Sequence, residues 1–178
     1  MKSKILATGA ALCMSIWSLA GCAQHTVGET IDDSTITAKV KTALISEDAM
    51  TAADVNVETF KGTVALIGYV RTKDDQSRAI KAAKTVDGVT DVADAMLIAP
   101  PKRSVGTTID DQTIEGKVKL EISEMDSENI LSVVTEVRNG EVLLGGFVKS
   151  AKVRDQVTAA VKGVEGVTKV HNRLHVKS

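Results

Sequence analysis

The sequence predicts an α+β protein built as two tandem small domains, each running helix–strand–strand–helix–strand (αββαβ). Three observations carry this. A long internal repeat holds one offset without a gap. Within each repeat the apolar period switches between that of a helix and that of a strand. A tight hairpin signal sits at the same place in both copies.

The repeat is read by setting Thr30-Ile31-Asp32-Asp33 beside Thr108-Ile109-Asp110-Asp111, an offset of 78. Aligning 30–98 with 108–176 gives 24 identities over 69 positions. Two copies are too few for a solenoid, and the period suits a small domain each. The expected division is a signal segment at 1–21, a tether at 22–29, a first domain at 30–98, a linker at 99–107 and a second domain at 108–176. Both prolines, Pro100 and Pro101, fall in the linker and make it semi-rigid.

In the first unit Ile36, Val40, Ala43 and Leu44 follow a helical period. Asp32, Asp33 and Ser34 precede it and are expected to cap its N-terminus, as are Asp110 and Asp111 in the second unit. Val55, Val57 and Thr59 alternate as a strand. Lys61-Gly62, or Asn139-Gly140, turns the chain, and Val64, Leu66, Gly68 and Val70 continue as the next strand. Thr72 opens a second helix with Asp75 at its third position. Ala79, Ala82, Ala83 and Val86 line its apolar face; Val153, Val157, Ala160, Val161 and Val164 do so in the second unit. Gly88 and Gly166 are expected to end these helices. Val92, Met96 and Ile98, or Val170, Leu174 and Val176, form the last strand. Both helices are expected on one face of the sheet. A unit of about 70 residues buries roughly 60% of its unfolded surface, so packing of the copies on each other is expected to help.

Before the repeat, Lys2 and Lys4 lead into the uncharged stretch Ile5–Leu19, a secretory signal too short for a membrane span of about 20 residues. Leu19-Ala20-Gly21-Cys22 resembles the bacterial lipobox, which implies cleavage before Cys22 and lipidation of that cysteine. Ala23 in place of aspartate favours outer-membrane sorting, facing the periplasm; an ordinary signal would leave a soluble periplasmic protein. Cys13 leaves with the signal, so no free thiol remains for metal or disulfide chemistry. Processing also leaves 20 basic against 23 acidic residues, a net charge of −3.

The hairpin Gly-x-Val-x-Leu-x-Gly-x-Val at 62–70 and 140–148, and Val-x-Gly-Val-x-x-Val at 86–92 and 164–170, resemble the BON domain. The resemblance covers nearly the whole processed chain. It implies two helices packed on a three-stranded mixed sheet in each unit. The tandem arrangement resembles the dual-BON envelope proteins of Gram-negative bacteria. Their lipoprotein branch is favoured by the lipobox, and their osmotic-stress branch is closer at 31–41. The resemblance implies a non-catalytic module that contacts phospholipid membranes and supports outer-membrane integrity and stress tolerance. The alternative is a periplasmic chaperone or adaptor that binds client proteins.

No enzyme motif, cofactor loop or metal motif is present, so no catalytic residue, cofactor or metal is assigned. Aromatics are 2% and net charge is −1, which argues against nucleic acid as a partner. His171 and His175 lie four residues apart, roughly 13 Å along a strand, too far for one ion. With Arg173 they are expected on an exposed mixed face. His25 sits in the tether. Gly62, Gly68, Gly88, Gly140, Gly146 and Gly166 are read as structural; Gly68 and Gly146 are expected to admit a helix or a bulge. The candidate lipid-surface residues are Lys117, Lys119, Lys149, Lys152, Arg154 and Lys162, since each basic residue near an anionic surface contributes about 1 kcal/mol. Unit charges of −3 and −2 argue against strong electrostatic binding. Where the resemblance implies aromatic side chains for membrane insertion, this chain has Thr35 and Thr113 opening the first helices.

Overall fold

A computed structural model of the chain describes residues 32–99, 105–125 and 127–177. The signal segment, Cys22 and His25 lie outside the described residues.

The first unit runs α1 (Asp33–Glu47), α2 (Ala49–Ala53), β1 (Val55–Phe60), β2 (Thr63–Val70), α3 (Lys73–Lys84) and β3 (Asp91–Ile98). The second runs α4 (Val105–Ser123), a 3-10 turn (Ser127–Asn129), β4 (Ile130–Arg138), β5 (Glu141–Val148), α5 (Ala151–Lys162) and β6 (Lys169–Val176). Each sheet has three strands in the orders β1-β2-β3 and β4-β5-β6. The hairpin pair is antiparallel and the pair closed through the helix is parallel. The sheets are therefore mixed, and the fold is α+β with tandem αββαβ units.

One face of each sheet is covered by its own two helices. In the first unit Ile36, Val40 and Leu44 of α1 and Ala79 and Ala83 of α3 pack on Val57, Val64, Leu66 and Met96. In the second, Val118 and Ile114 of α4 and Val153, Val157 and Val161 of α5 pack on Val137, Val142, Leu144 and Leu174. The opposite faces meet each other. Ala65, Ile67, Tyr69 and Ala95 of one sheet form a buried cluster with Leu143 and Phe147 of the other. The molecule is thus a helix–sheet–sheet–helix stack. The inner positions of β2 and β5 are apolar for that reason, so these strands read as continuous hydrophobic runs rather than alternating ones. Tyr69 and Phe147 contribute large apolar surface to the seam.

Several local expectations differ from the structure. The carboxyl of Asp32 makes no cap to α1; it accepts from Ser34 Oγ at 2.5 Å. Asp110 and Asp111 lie inside α4, which begins at Val105 within the stretch expected as linker. Glycines 88 and 166 do not end the helices: α3 stops at Lys84 and α5 at Lys162. Thr85 and Gly163 stand at the C-caps, and each donates its amide to carbonyls of the last turn. The short α2 was not legible from periodicity. Asp48 caps it by accepting from the amides of Met50 (2.9 Å) and Thr51 (3.4 Å). The expected caps of Thr72 on Asp75 and Ser150 on Val153 are formed at 3.1 and 3.3 Å.

Candidate functional site

The six candidate basic residues of the second unit lie on or next to its two helices. Lys117 and Lys119 of α4 stand two residues apart, about 200° around a helix, and so point to different sides. Each has an acidic partner: Lys117 bonds Glu165 at 2.7 Å and Lys119 bonds Glu115 at 2.5 Å. The Lys117 hydrogen bond holds the Glu165 carboxyl below its usual range. Arg154 is half-buried and contacts Asp155 at 3.2 Å. By contrast Lys149, Lys152 and Lys162 are exposed and make no ion pair among the described residues. Of the six, these three have no acidic partner among the described residues. Lys149 and Lys152 flank the start of α5, and Lys162 is its last residue.

Beside Lys152 lies a feature that sequence reading missed. In the first unit the junction of α1, α2 and α3 is closed by ion pairs. Arg78 bonds Asp75 at 2.6 Å, and Arg71 bonds Asp48 at 2.7 Å and Asp75 at 3.5 Å. Asp75 is only 5% exposed. Its carboxyl is held below its usual range, chiefly by the hydrogen bond from Arg78; that of Asp48 is lowered chiefly by the hydroxyl of Thr51. In the second unit Val153, Gln156 and Lys149 stand at the positions of Asp75, Arg78 and Arg71. Among the described residues the ion pairs of the first unit have no counterpart here, and a cleft of about 470 Å³ opens. Met125, Ile130 and Val153 supply its apolar lining; Asn129, Ser150, Lys152 and Gln156 supply its polar one. The available signal was the unlike charge pattern of the two copies at one offset.

The paired aspartates have a different task from capping. Asp33 accepts from the amides of Lys61 and Gly62 at 2.7 and 2.8 Å. Asp111, 2% exposed, accepts from Asn139 and Gly140 at 2.9 Å each. Each carboxylate therefore clamps a hairpin turn to the first helix of its unit. The turns need the clamp: Lys61 and Asn139 take positive φ (49° and 55°), as do the glycines after them. Gly68 is crowded by Asp54, the residue joining α2 to β1, and Gly146 by the neighbouring strand β4. A Cβ at Gly68 would lie 2.1 Å from the Asp54 carbonyl oxygen, and one at Gly146 would lie 2.3 Å from that of Ser132. The second case sits at a register shift between Ile130 and Ser132.

His171 and His175 are half-buried, which corrects the exposed face expected for them, while Arg173 is exposed as expected. His171 Nε2 contacts Glu141 Oε2 at 2.6 Å, and this bond lowers the Glu141 carboxyl. His175 packs edge-on to Phe147 with 6.1 Å between ring centroids. The parity of β6 was read correctly, but the second sheet covers part of that face. Among the described residues no group of three potential ligands gathers to hold a metal ion. No described helix is long and apolar enough to cross a membrane.

Comparison with known proteins agrees with this architecture. The family model of the BON domain matches twice, at residues 32–100 and 110–178. The chain is 36% identical over 152 residues to osmotically-inducible protein Y of Escherichia coli K12, covering 85% of this chain and 76% of that protein. It is 41% identical over 85 residues to outer membrane lipoprotein DolP of Haemophilus influenzae, covering 46% of this chain and 43% of that protein. Among solved structures, the C-terminal domain of CdsD, a structural protein of the Chlamydia trachomatis type III secretion system, aligns with 83% of this chain and all of that one. Its identity is 14% and its TM-score 0.33, too slight a likeness to carry any argument. The duplicated αββαβ unit, its two hairpin glycines and the double family match together make the chain a member of the BON-domain family, with two such domains in tandem.

Proposed function

We propose that the chain is a non-catalytic envelope protein that contacts phospholipid membranes and supports outer-membrane integrity and osmotic or envelope stress tolerance. The names of its relatives, one osmotically inducible and one an outer membrane lipoprotein, support that setting. The lipobox supports anchoring through Cys22 in the outer membrane, facing the periplasm. A lipoprotein carries two or three acyl chains, and single chains bind only marginally.

The observation that carries lipid contact is the cleft of the second domain. It places an apolar lining of Met125, Ile130 and Val153 directly beside Lys152, which has no acidic partner among the described residues. An apolar recess rimmed by a cation suits the boundary between a phosphate headgroup and its acyl chains. Lys149, just before α5, and Lys162, its last residue, add further charge. Lys117, Lys119 and Arg154 add weaker attraction, because each is already paired.

Other surfaces are less open to partners. The inner sheet faces cover each other. On the outer edge strands the Met96 amide is taken by Asp94 at 3.0 Å and the Leu174 amide by Asn172 at 2.9 Å. Gln76 of α3 reaches over to Asp94, and Asn172 reaches Thr158 of α5. Such capping blunts strand addition by a client peptide. The test is co-sedimentation of unlipidated residues 23–178 with vesicles. Binding to phosphatidylglycerol vesicles that weakens with salt supports lipid contact. No binding, combined with suppression of client aggregation, favours the chaperone alternative.

A further inference from the structure

We propose that each inner sheet face is a recognition surface for an unlike unit, and that the pairing code is carried by Ile67 and Gly145. The inference rests on the relation between the two domains. Phe60 packs on Phe147 with 5.9 Å between ring centroids. Their duplicates, 78 positions away, are Arg138 and Tyr69, and these also pack on each other, at 4.6 Å. A contact and its duplicate with the roles exchanged is the property of a twofold relation, as in an isologous dimer. The two domains are therefore an internal dimer about a pseudo-twofold axis.

On such an axis a position must meet its own duplicate. Ile67, on the central strand β2, meets Gly145, on the central strand β5, and the two are duplicates of each other. A Cβ at Gly145 would come within 2.5 Å of Ile67 Cγ1 and 2.6 Å of Ile67 Cγ2. The glycine is needed for space alone, since its φ lies outside the left-handed region that favours glycine. Ile67 is fully buried, in one cluster with Ala65, Tyr69, Leu143 and Phe147. Close-packed interiors leave no slack for an added side chain. Two faces of the first kind would drive isoleucine into isoleucine. Two of the second kind would leave a void above glycine. Only a first face on a second face fills the axis without overlap. The acceptable occupant is thus the complementary domain of the same chain.

The test is an exchange in the full chain, read by thermal unfolding. Gly145→Ile is expected to lower Tm by about 5–10 °C through overpacking. Ile67→Gly is expected to lower it by a similar amount through the void it leaves. The double variant Ile67→Gly/Gly145→Ile has the native composition with the two residues exchanged across the axis. Its loss is expected to be less than half of either single loss. A double loss equal to or greater than the larger single loss, or a double variant that fails to fold, overturns the proposal. So does a Gly145→Ile variant that melts with the wild type.

Discussion

The guanidinium of Arg138 lies over the ring of Tyr69, 4.6 Å from its centroid, across the seam between the two domains. Arg138 is also 3.7 Å from Asp54, so one side chain ties β4 to the first domain at two points. The Tyr69 hydroxyl is buried and finds no hydrogen-bond partner among the described residues. Burial, reinforced by the nearby Glu141 carboxylate, pushes its pKa up to about 12. The folded protein thus holds the Tyr69 proton more tightly than the unfolded chain, where the value is about 10. Stability from this group is complete below pH 10 and falls as pH rises from about 10 to about 12. Tyr69→Phe is expected to flatten that part of the stability curve. At neutral pH it should leave stability unchanged or raise it by up to about 1 kcal/mol, because an unpartnered polar atom is removed. Urea unfolding of both proteins at pH 7 and across the alkaline range checks this.

Glu136 lies on the same seam and accepts from Asn56 Nδ2 at 2.8 Å. Burial raises its carboxyl above the usual range. A raised value means that its charged form is the costly one in the folded state, so its contribution worsens as pH rises through that folded value. Glu136→Gln keeps an acceptor for Asn56 without the charge. It should be more stable than wild type at pH 7, and the difference should shrink as the pH is lowered through the carboxylate range. Equal stability at pH 7 would contradict this reading.

The hairpin clamps are expected to be unequal. Asp111→Ala removes a buried carboxylate that serves two backbone amides, and should cost about 2–4 kcal/mol in urea unfolding. Asp33→Ala should cost less, since Asp33 is half-exposed and water can replace it. A larger loss at Asp33 would contradict the assignment.

The repeat, the order of elements and the helix-covered sheet faces were legible in the sequence because each follows from local periodicity and turn chemistry. The Asp111 clamp was not, since an aspartate near a helix start reads as a cap. Its partner amides, 28 and 29 residues away, appear only once the hairpin folds back. The half-buried His171 and His175 were misread for a related reason. Strand parity says which residues share a face, but not that a second sheet covers part of it. The cleft by Val153 and Gln156 was half legible, as a charge pattern present in one copy and absent from the other.

Gly146→Ala should be among the most damaging single changes. Its φ of 113° is strained for any side chain, and the methyl would strike the Ser132 carbonyl oxygen. A loss of roughly 2 kcal/mol or more is expected. Gly116→Ala supplies the control: a Cβ there meets nothing within 4 Å, and alanine favours the helix.

The central claim, that the second domain touches anionic lipid through Lys152 at its open cleft and through Lys149 and Lys162 before and at the end of α5, is tested most directly by charge reversal. Binding of residues 23–178 to phosphatidylglycerol vesicles should be measured for the wild type and for Lys149→Glu/Lys152→Glu/Lys162→Glu. At about 1 kcal/mol per cation removed, the triple variant should bind roughly a hundredfold more weakly while unfolding at the wild-type temperature. Undiminished binding by a folded triple variant would contradict the account.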